Sequence, residues 1–296
     1  MMTLKSLIEN NGLTMGKAAS LLKVDKSQIV KICSHNYPSW EQKESEFIAT
    51  LKQLGYTDSI AQTFAIDTNI LVATKSVSNF TALADDLSDP DGTLSSSIGM
   101  AIGTAERGKT HAATWYVQQN ENTAYVLYVD GSTKVQLLRD ICDAIAHARP
   151  YSFSSCLTTL DEACKYTRRL IIIDEADKLP VQYLEMLRGI NERCRLPFLL
   201  VGEEGLKAKT DRIPRLRSRI RKPIVLFEPA RAVDVAAYYQ AAAGIEIDRK
   251  TAETLARHAA GGFRSIVNDS IALAKMAKAS RLTTVTEKML DVLCAA

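Results

Sequence analysis

The chain of 296 residues has no run of about 18 uninterrupted apolar residues, which excludes an ordinary membrane-spanning helix. Its first residues, Met1 to Asn10, lack the apolar stretch of a secretory signal. Six cysteines, Cys33, Cys142, Cys156, Cys164, Cys194 and Cys294, are scattered without a C-x-x-C pair or an accompanying histidine cluster. That spacing indicates neither a zinc site nor a disulfide framework, so the thiols are expected reduced and mostly buried. The charge surplus is small, with 37 Lys and Arg against 34 Asp and Glu, a net +3. Any nucleic-acid footprint therefore has to be local rather than spread over the whole surface. No internal repeat or low-complexity tract is present. A cytosolic protein with no membrane partner is expected, and the chain is long enough for an α/β core plus one or two small helical domains.

What the sequence does contain is a phosphate-binding loop. Gly103-Thr104-Ala105-Glu106-Arg107-Gly108-Lys109-Thr110 fits G-x-x-x-x-G-K-[ST] in full. In such a loop backbone N–H groups wrap the phosphates, the lysine reaches the β- and γ-phosphates and the hydroxyl binds Mg²⁺. Lys109 and Thr110 take those two roles here, with His111 next in line. The loop lies between an apolar run, Ser97 to Ile102, and a helical stretch from His111 to Val117, which is the strand, loop, helix order the chemistry requires. Further on, Leu170-Ile171-Ile172-Ile173 ends in Asp174-Glu175. A carboxylate at the carboxyl end of a buried strand sits where open α/β sheets bind ligands. Asp174 is the candidate for holding Mg²⁺ through water, and Glu175 for orienting or deprotonating the attacking water. ATP is the implied cofactor.

From Ser97 to about Phe227, apolar runs at Ala124–Val129, Leu170–Ile173, Phe198–Val201 and Ile224–Leu226 alternate with helical stretches. This predicts a parallel sheet covered by helices on both faces. Residues 1–57 read as three short helices and residues 58–96 as a linker with a short amphipathic helix leading into the core. Residues 97–228 form the α/β core and residues 229–296 a small domain of helices alone.

A hydrolysing site also needs positive charge at the γ-phosphate, commonly an arginine from a neighbouring subunit. The stretch Arg212 to Lys222 offers Arg219 as first candidate and Arg215 as second. Gly261-Gly262-Phe263-Arg264 opens a helix in the last domain, from which Arg264 can reach back over the nucleotide.

Taken in order, the phosphate loop, the Asp-Glu strand end, the apolar strand closing on Gly202, the arginine-rich turn and the Gly-x-x-Arg-like helix start resemble the AAA+ ATPases over about residues 70–296. With the N-terminal helices and the LIIIDEAD run added, the layout is similar to the transposition target-capture ATPases typified by the B protein of phage Mu. The resemblance implies a P-loop AAA+ core, a helical lid, Arg219 or Arg215 acting in trans and Arg264 as the lid sensor. It further implies ATP-dependent assembly into helical filaments on DNA, and recruitment or stimulation of a transposase in a bacterial cytoplasm. One departure stands out. Glu203 follows Gly202, where such proteins place asparagine, so this carboxylate is protonated, points away, or slows turnover.

Lys17 to Ile32 matches a helix-turn-helix in its spacing, with Ala19 where the helices cross and Leu22, Val24, Ile29 and Ile32 buried between them. Lys23 stands where the turn often has glycine. The second helix then presents Lys26, Ser27, Gln28 and Lys31 outward, a set suited to phosphate contacts on duplex DNA with little base reading. Two alternatives stay open: a replication initiator or helicase loader, and a nucleotide-gated regulator with little hydrolysis.

Overall fold

Five short apolar runs become the strands of one parallel sheet: β1 (Ile98–Ile102), β2 (Thr123–Leu127), β3 (Leu170–Asp174), β4 (Phe198–Gly202) and β5 (Val225–Leu226), in the order β2-β3-β4-β1-β5. They are seen in a computed structural model that describes residues 3–10, 13–54, 56, 67–89, 97–244, 247–280, 285 and 287–295. The strand runs expected from the sequence all appear, and the sheet is parallel as expected. β1, β3 and β4 are buried at every position. Their side chains alternate between two apolar layers: Met100, Ile171, Ile173 and Leu200 enter one layer, and Ala101, Leu170, Ile172 and Val201 the other. A sheet covered on both faces needs this unbroken hydrophobicity, because period-2 alternation sends successive residues into two different cores.

The first layer packs under α7 (Lys134–Ala146), α8 (Phe153–Ala163) and α9 (Val181–Cys194), the second under α5 (Lys75–Ser88) and α6 (Lys109–Gln119). The helix α5, expected as a lead-in to the core, is part of that core: Phe80, Leu83, Ala84 and Leu87 are buried against the sheet. Thr74 caps it by accepting from the Val77 N–H at 3.2 Å. Close packing depends on Gly99, where a Cβ would lie 2.9 Å from the Leu199 side chain and still closer to Leu87. The expected linker segments 58–66 and 90–96 lie outside the described residues.

After β4 come α10 (Gly205–Asp211) and α11 (Pro214–Arg217), and after β5 the helices α12 (Ala232–Ala243), α13 (Arg249–His258), α14 (Phe263–Ser280) and α15 (Glu287–Cys294). The chain divides into two compact units, residues 1–66 with 274–283, and residues 67–273 with 284–296. Three of the cysteines, Cys142, Cys156 and Cys194, are buried and all six are free. Among the described residues no helix is long and apolar enough to cross a membrane.

The first unit begins with α1 (Leu4–Asn10), α2 (Met15–Leu22), α3 (Lys26–Cys33) and α4 (Trp40–Gln53). Four helices stand where three were expected. The fourth, WEQKESEFIATLKQ, is mostly charged and polar, yet it buries Phe47 and Leu51 among Leu4, Leu7, Ile29 and Ile32. Ala18 and Ala19 are buried between the helices as the spacing requires, whereas Leu22 and Val24 are only half-buried. The turn needs a left-handed residue, and Lys23 supplies it at φ 54° while its N–H closes back on Ser20 O at 3.3 Å.

Candidate functional site

The parallel register aligns the carboxyl ends of β1, β4 and β3, pairing Ile102 with Gly202 and Ile173 with Leu200. Three loops therefore open at one edge: Gly103–Thr110 after β1, Asp174–Glu175 after β3 and Glu203 after β4. The first turns through left-handed residues Glu106 (φ 65°) and Gly108 (φ 87°) before α6 begins at Lys109. A turn of this type gathers successive backbone N–H groups on one concave side, above a helix N-terminus that favours anions. Gly103 admits the approach of the chain after β5, since a Cβ there would lie 2.7 Å from Phe227 O.

Lys109 is buried, and its Nζ donates to Gly103 O and Thr104 O at 2.7 Å each. Burial lowers its pKa below the ordinary lysine value, opposed by the charges of Glu203, Asp174, Asp177 and Glu175 in that order. Asp174 is 2% exposed and fully engaged. Its Oδ2 accepts from the Thr110 hydroxyl at 2.7 Å and from the Tyr125 hydroxyl at 2.9 Å, and its Oδ1 from the Glu175 N–H at 2.8 Å. Three donors offset the loss of water that burial imposes on this carboxylate. Burial and then the Asp174 charge push the Tyr125 phenol above its usual range, so this hydroxyl keeps its proton and donates.

Glu175 adopts a left-handed backbone (φ 57°) and pairs with Lys178 at 2.8 Å. Asp177 ties two loops together: its Oδ1 accepts from the Glu203 N–H at 3.0 Å, and a Cβ on Gly202 would lie 2.8 Å from its backbone nitrogen. Glu203 is exposed and lines the same cavity as Lys109 and Asp174, so it does not point away from the site.

That cavity has a volume of about 510 Å³. Its lining divides by chemistry into an apolar set, Ile70, Leu71, Val72, Val77, Tyr238 and Val267, and a polar set, residues 105–111 with Asp174, Glu175, Asp177 and Glu203. Arg264 stands at its rim, with its side chain 77% exposed. The division suits a ligand with a planar apolar base and a charged tail. Five carboxylates face three cationic side chains, Arg107, Lys109 and Arg264, so a polyphosphate enters on charge grounds only with a cation of its own. The Thr110 hydroxyl and the Asp174 carboxylate are the hard oxygen donors Mg²⁺ takes alongside phosphates. Among the described residues no group of three or more His, Cys, Asp and Glu side chains is arranged to hold a metal alone.

Of the other residues singled out from the sequence, His111 lines the cavity, while the Gly103 and Thr104 carbonyls serve it through Lys109. Arg215 and Arg219 do not line it. Arg219 is half-buried and paired with Glu192 at 2.8 Å, and Arg215 is exposed on α11. In the N-terminal unit Lys26, Ser27 and Lys31 are exposed, but Gln28 is half-buried with its amide donating to the Tyr37 hydroxyl at 3.0 Å, so it is not free to read a base. Sequence reasoning missed Tyr125 and Asp177. A polar hydroxyl in the middle of the apolar run Ala124–Val129 was the available signal for the first, and the acidic residue three places after Asp174 for the second.

Residues 93–209 match the AAA domain family. The chain is similar to the ATP-dependent target DNA activator B of Escherichia phage Mu, 28% identical over 147 residues, which is 47% of this chain and 47% of that protein. It is also similar to the Mu-like prophage FluMu DNA transposition protein B of Haemophilus influenzae, 27% identical over 170 residues, covering 54% and 55%. The chain thus spans about half the length of the curated relatives it matches. Among solved structures, the Aeropyrum pernix ORC2 protein superposes with a TM-score of 0.59 at 16% identity, covering 79% of this chain and 71% of that one. The fold is that of AAA+ ATPases, and the domain match and the cavity together support ATP binding.

Proposed function

We propose that this protein is a Mg²⁺-dependent ATPase that binds duplex DNA with little sequence preference. It assembles head to tail into a helical filament, marks target DNA and recruits or stimulates a transposase in the cytoplasm of a bacterial host, at the nucleoid. The observation that carries the reading is the buried Asp174 bonded to Thr110 beside Lys109 on an AAA+ sheet, joined to relatives whose names state ATP dependence and target DNA. Residues 1–57 act as the DNA-binding helices, with Lys26, Ser27 and Lys31 on phosphates, 58–96 as the connection, 97–228 as the ATPase core and 229–296 as the lid.

The loop Gly103–Thr110 holds the phosphates and Lys109 reaches the β- and γ-phosphates. Thr110 and Asp174 hold Mg²⁺, which when bound neutralises phosphate charge. Glu175 leaves Lys178 to accept a proton from the attacking water. Arg219, or else Arg215, comes from the neighbouring subunit, and Arg264 contacts the nucleotide from the lid. An interface that places one subunit's arginine in the next subunit's site is heterologous, and its rotation need not close, which generates a filament. Glu203 in the cavity supports slow turnover, because its charge opposes the build-up of negative charge at the γ-phosphate.

Electron microscopy with long duplex DNA and ATP, ADP or no nucleotide tests the reading. Filaments on DNA of arbitrary sequence with ATP alone are expected. Rings, or particles at one site, would replace it by the initiator or loader, and nucleotide-dependent DNA binding without measurable turnover by the regulator.

A further inference from the structure

Glu106 and Arg107, in the middle of the phosphate loop, both reach the start of α14. The Glu106 carbonyl accepts from the Phe263 N–H at 2.7 Å, satisfying the first of the helix's orphan donors. Its carboxylate accepts from the Ser265 hydroxyl at 3.1 Å and lies 3.9 Å from the Arg264 guanidinium. Arg107 donates to Ala260 O at 2.7 Å and to Thr104 Oγ1 at 3.0 Å. The glycines before the helix make room for both: a Cβ on Gly262 would lie 2.9 Å from Glu106 Oε2, and one on Gly261 2.7 Å from Arg107 Nη1. A carboxylate therefore stands at the N-terminus of an 18-residue helix, the end at which negative charge is favoured, and beside the arginine at the cavity rim.

We propose that Glu106 is a positioning residue that competes with the terminal phosphate for Arg264, and so sets how strongly the site prefers a nucleoside triphosphate over a diphosphate. The inference rests on the nucleotide-site reading above. The Glu106–Arg264 pair is long and exposed, so it is weak enough to be displaced: a γ-phosphate attracts the guanidinium away, whereas a diphosphate leaves Arg264 on Glu106. The backbone bond from Phe263 and the Arg107 tether keep the lid helix on the loop in both states, so the switch is a side-chain exchange and needs no undocking of the lid.

The test is calorimetric titration of the full chain, in Mg²⁺, with a non-hydrolysable ATP analogue and with ADP. Glu106→Gln keeps an acceptor for Ser265 and removes the charge. The analogue should then bind about three-fold tighter, with a smaller change for ADP. In the Arg264→Ala background the same substitution should leave the ratio of the two affinities unchanged. A loop merely damaged by the substitution would weaken both ligands together and would overturn the proposal, as would an unchanged ratio in the single variant or an undiminished gain without Arg264. Glu106→Gly, which suits φ 65° better, gives a second reading with the same expected sign should the glutamine variant be unstable. Wild-type protein that bound neither nucleotide would remove the site reading itself. That outcome is distinct from normal wild-type binding with no shift in the variant.

Discussion

Removing the Tyr125 hydroxyl should cost both stability and function at a distance from the phosphates. Asp174 is 2% exposed and takes hydrogen bonds from Tyr125, Thr110 and the Glu175 N–H. In Tyr125→Phe the buried Asp174 carboxylate loses one of its three donors. A hydrogen bond to a charged group contributes about 1.5–3 kcal/mol, so a loss of about 2 kcal/mol from the core unit is expected. For a unit of this size that lowers the melting temperature by roughly 4–8 °C. Thermal unfolding of wild type, Tyr125→Phe, Asp174→Asn and the double variant gives the coupling directly. The expected coupling is about 1–3 kcal/mol, since the two groups touch and share one buried site. A coupling below about 0.5 kcal/mol would refute the reasoning, because it would mean that the hydroxyl does not hold the carboxylate.

Other substitutions address the site and the surface. Lys109→Ala should abolish ATP binding, and with it ATP-dependent DNA binding, measured by nucleotide titration and filter retention of duplex. Glu175→Gln should bind ATP but turn over at least about 100-fold more slowly, the scale of a lost general base, giving longer-lived DNA complexes; wild-type turnover would assign the base elsewhere. Arg219→Ala should lose turnover with near-normal nucleotide binding, and mixing with Lys109→Ala should restore part of it; no rescue would argue against action in trans. At Asp161 the hydrogen bonds of Arg193, followed by that of Cys194, hold the carboxyl below its ordinary value. Its stabilisation is therefore present above the unfolded carboxylate range and lost as pH falls through the lower folded value. Asp161→Asn should cost about 1–2 °C in melting temperature at neutral pH and nothing once the wild-type carboxyl is protonated, as expected for an exposed pair.

The sheet was legible because burial on both faces forces unbroken apolar runs, and Leu170–Ile173 or Phe198–Val201 fit little else. The phosphate loop and Asp174 were legible because their chemistry prescribes residue types at fixed spacing. Tyr125 and Asp177 were hidden because they act through partners distant in sequence, 49 residues for Tyr125–Asp174 and 26 for Asp177–Glu203. The fourth N-terminal helix escaped for another reason. Its apolar face is narrow, and part of what it supplies to the interior is the carboxylate of Glu44, which hydrophobic patterning does not register.

That carboxylate accepts the Leu4 N–H at 2.7 Å, so the fourth helix caps the first across 40 residues. A fragment trimmed to the two helices of the turn would forfeit this cap together with Phe47 and Leu51, and should collapse without a fixed interior. The portable unit for grafting onto another protein is therefore the whole set from Leu4 to Gln53.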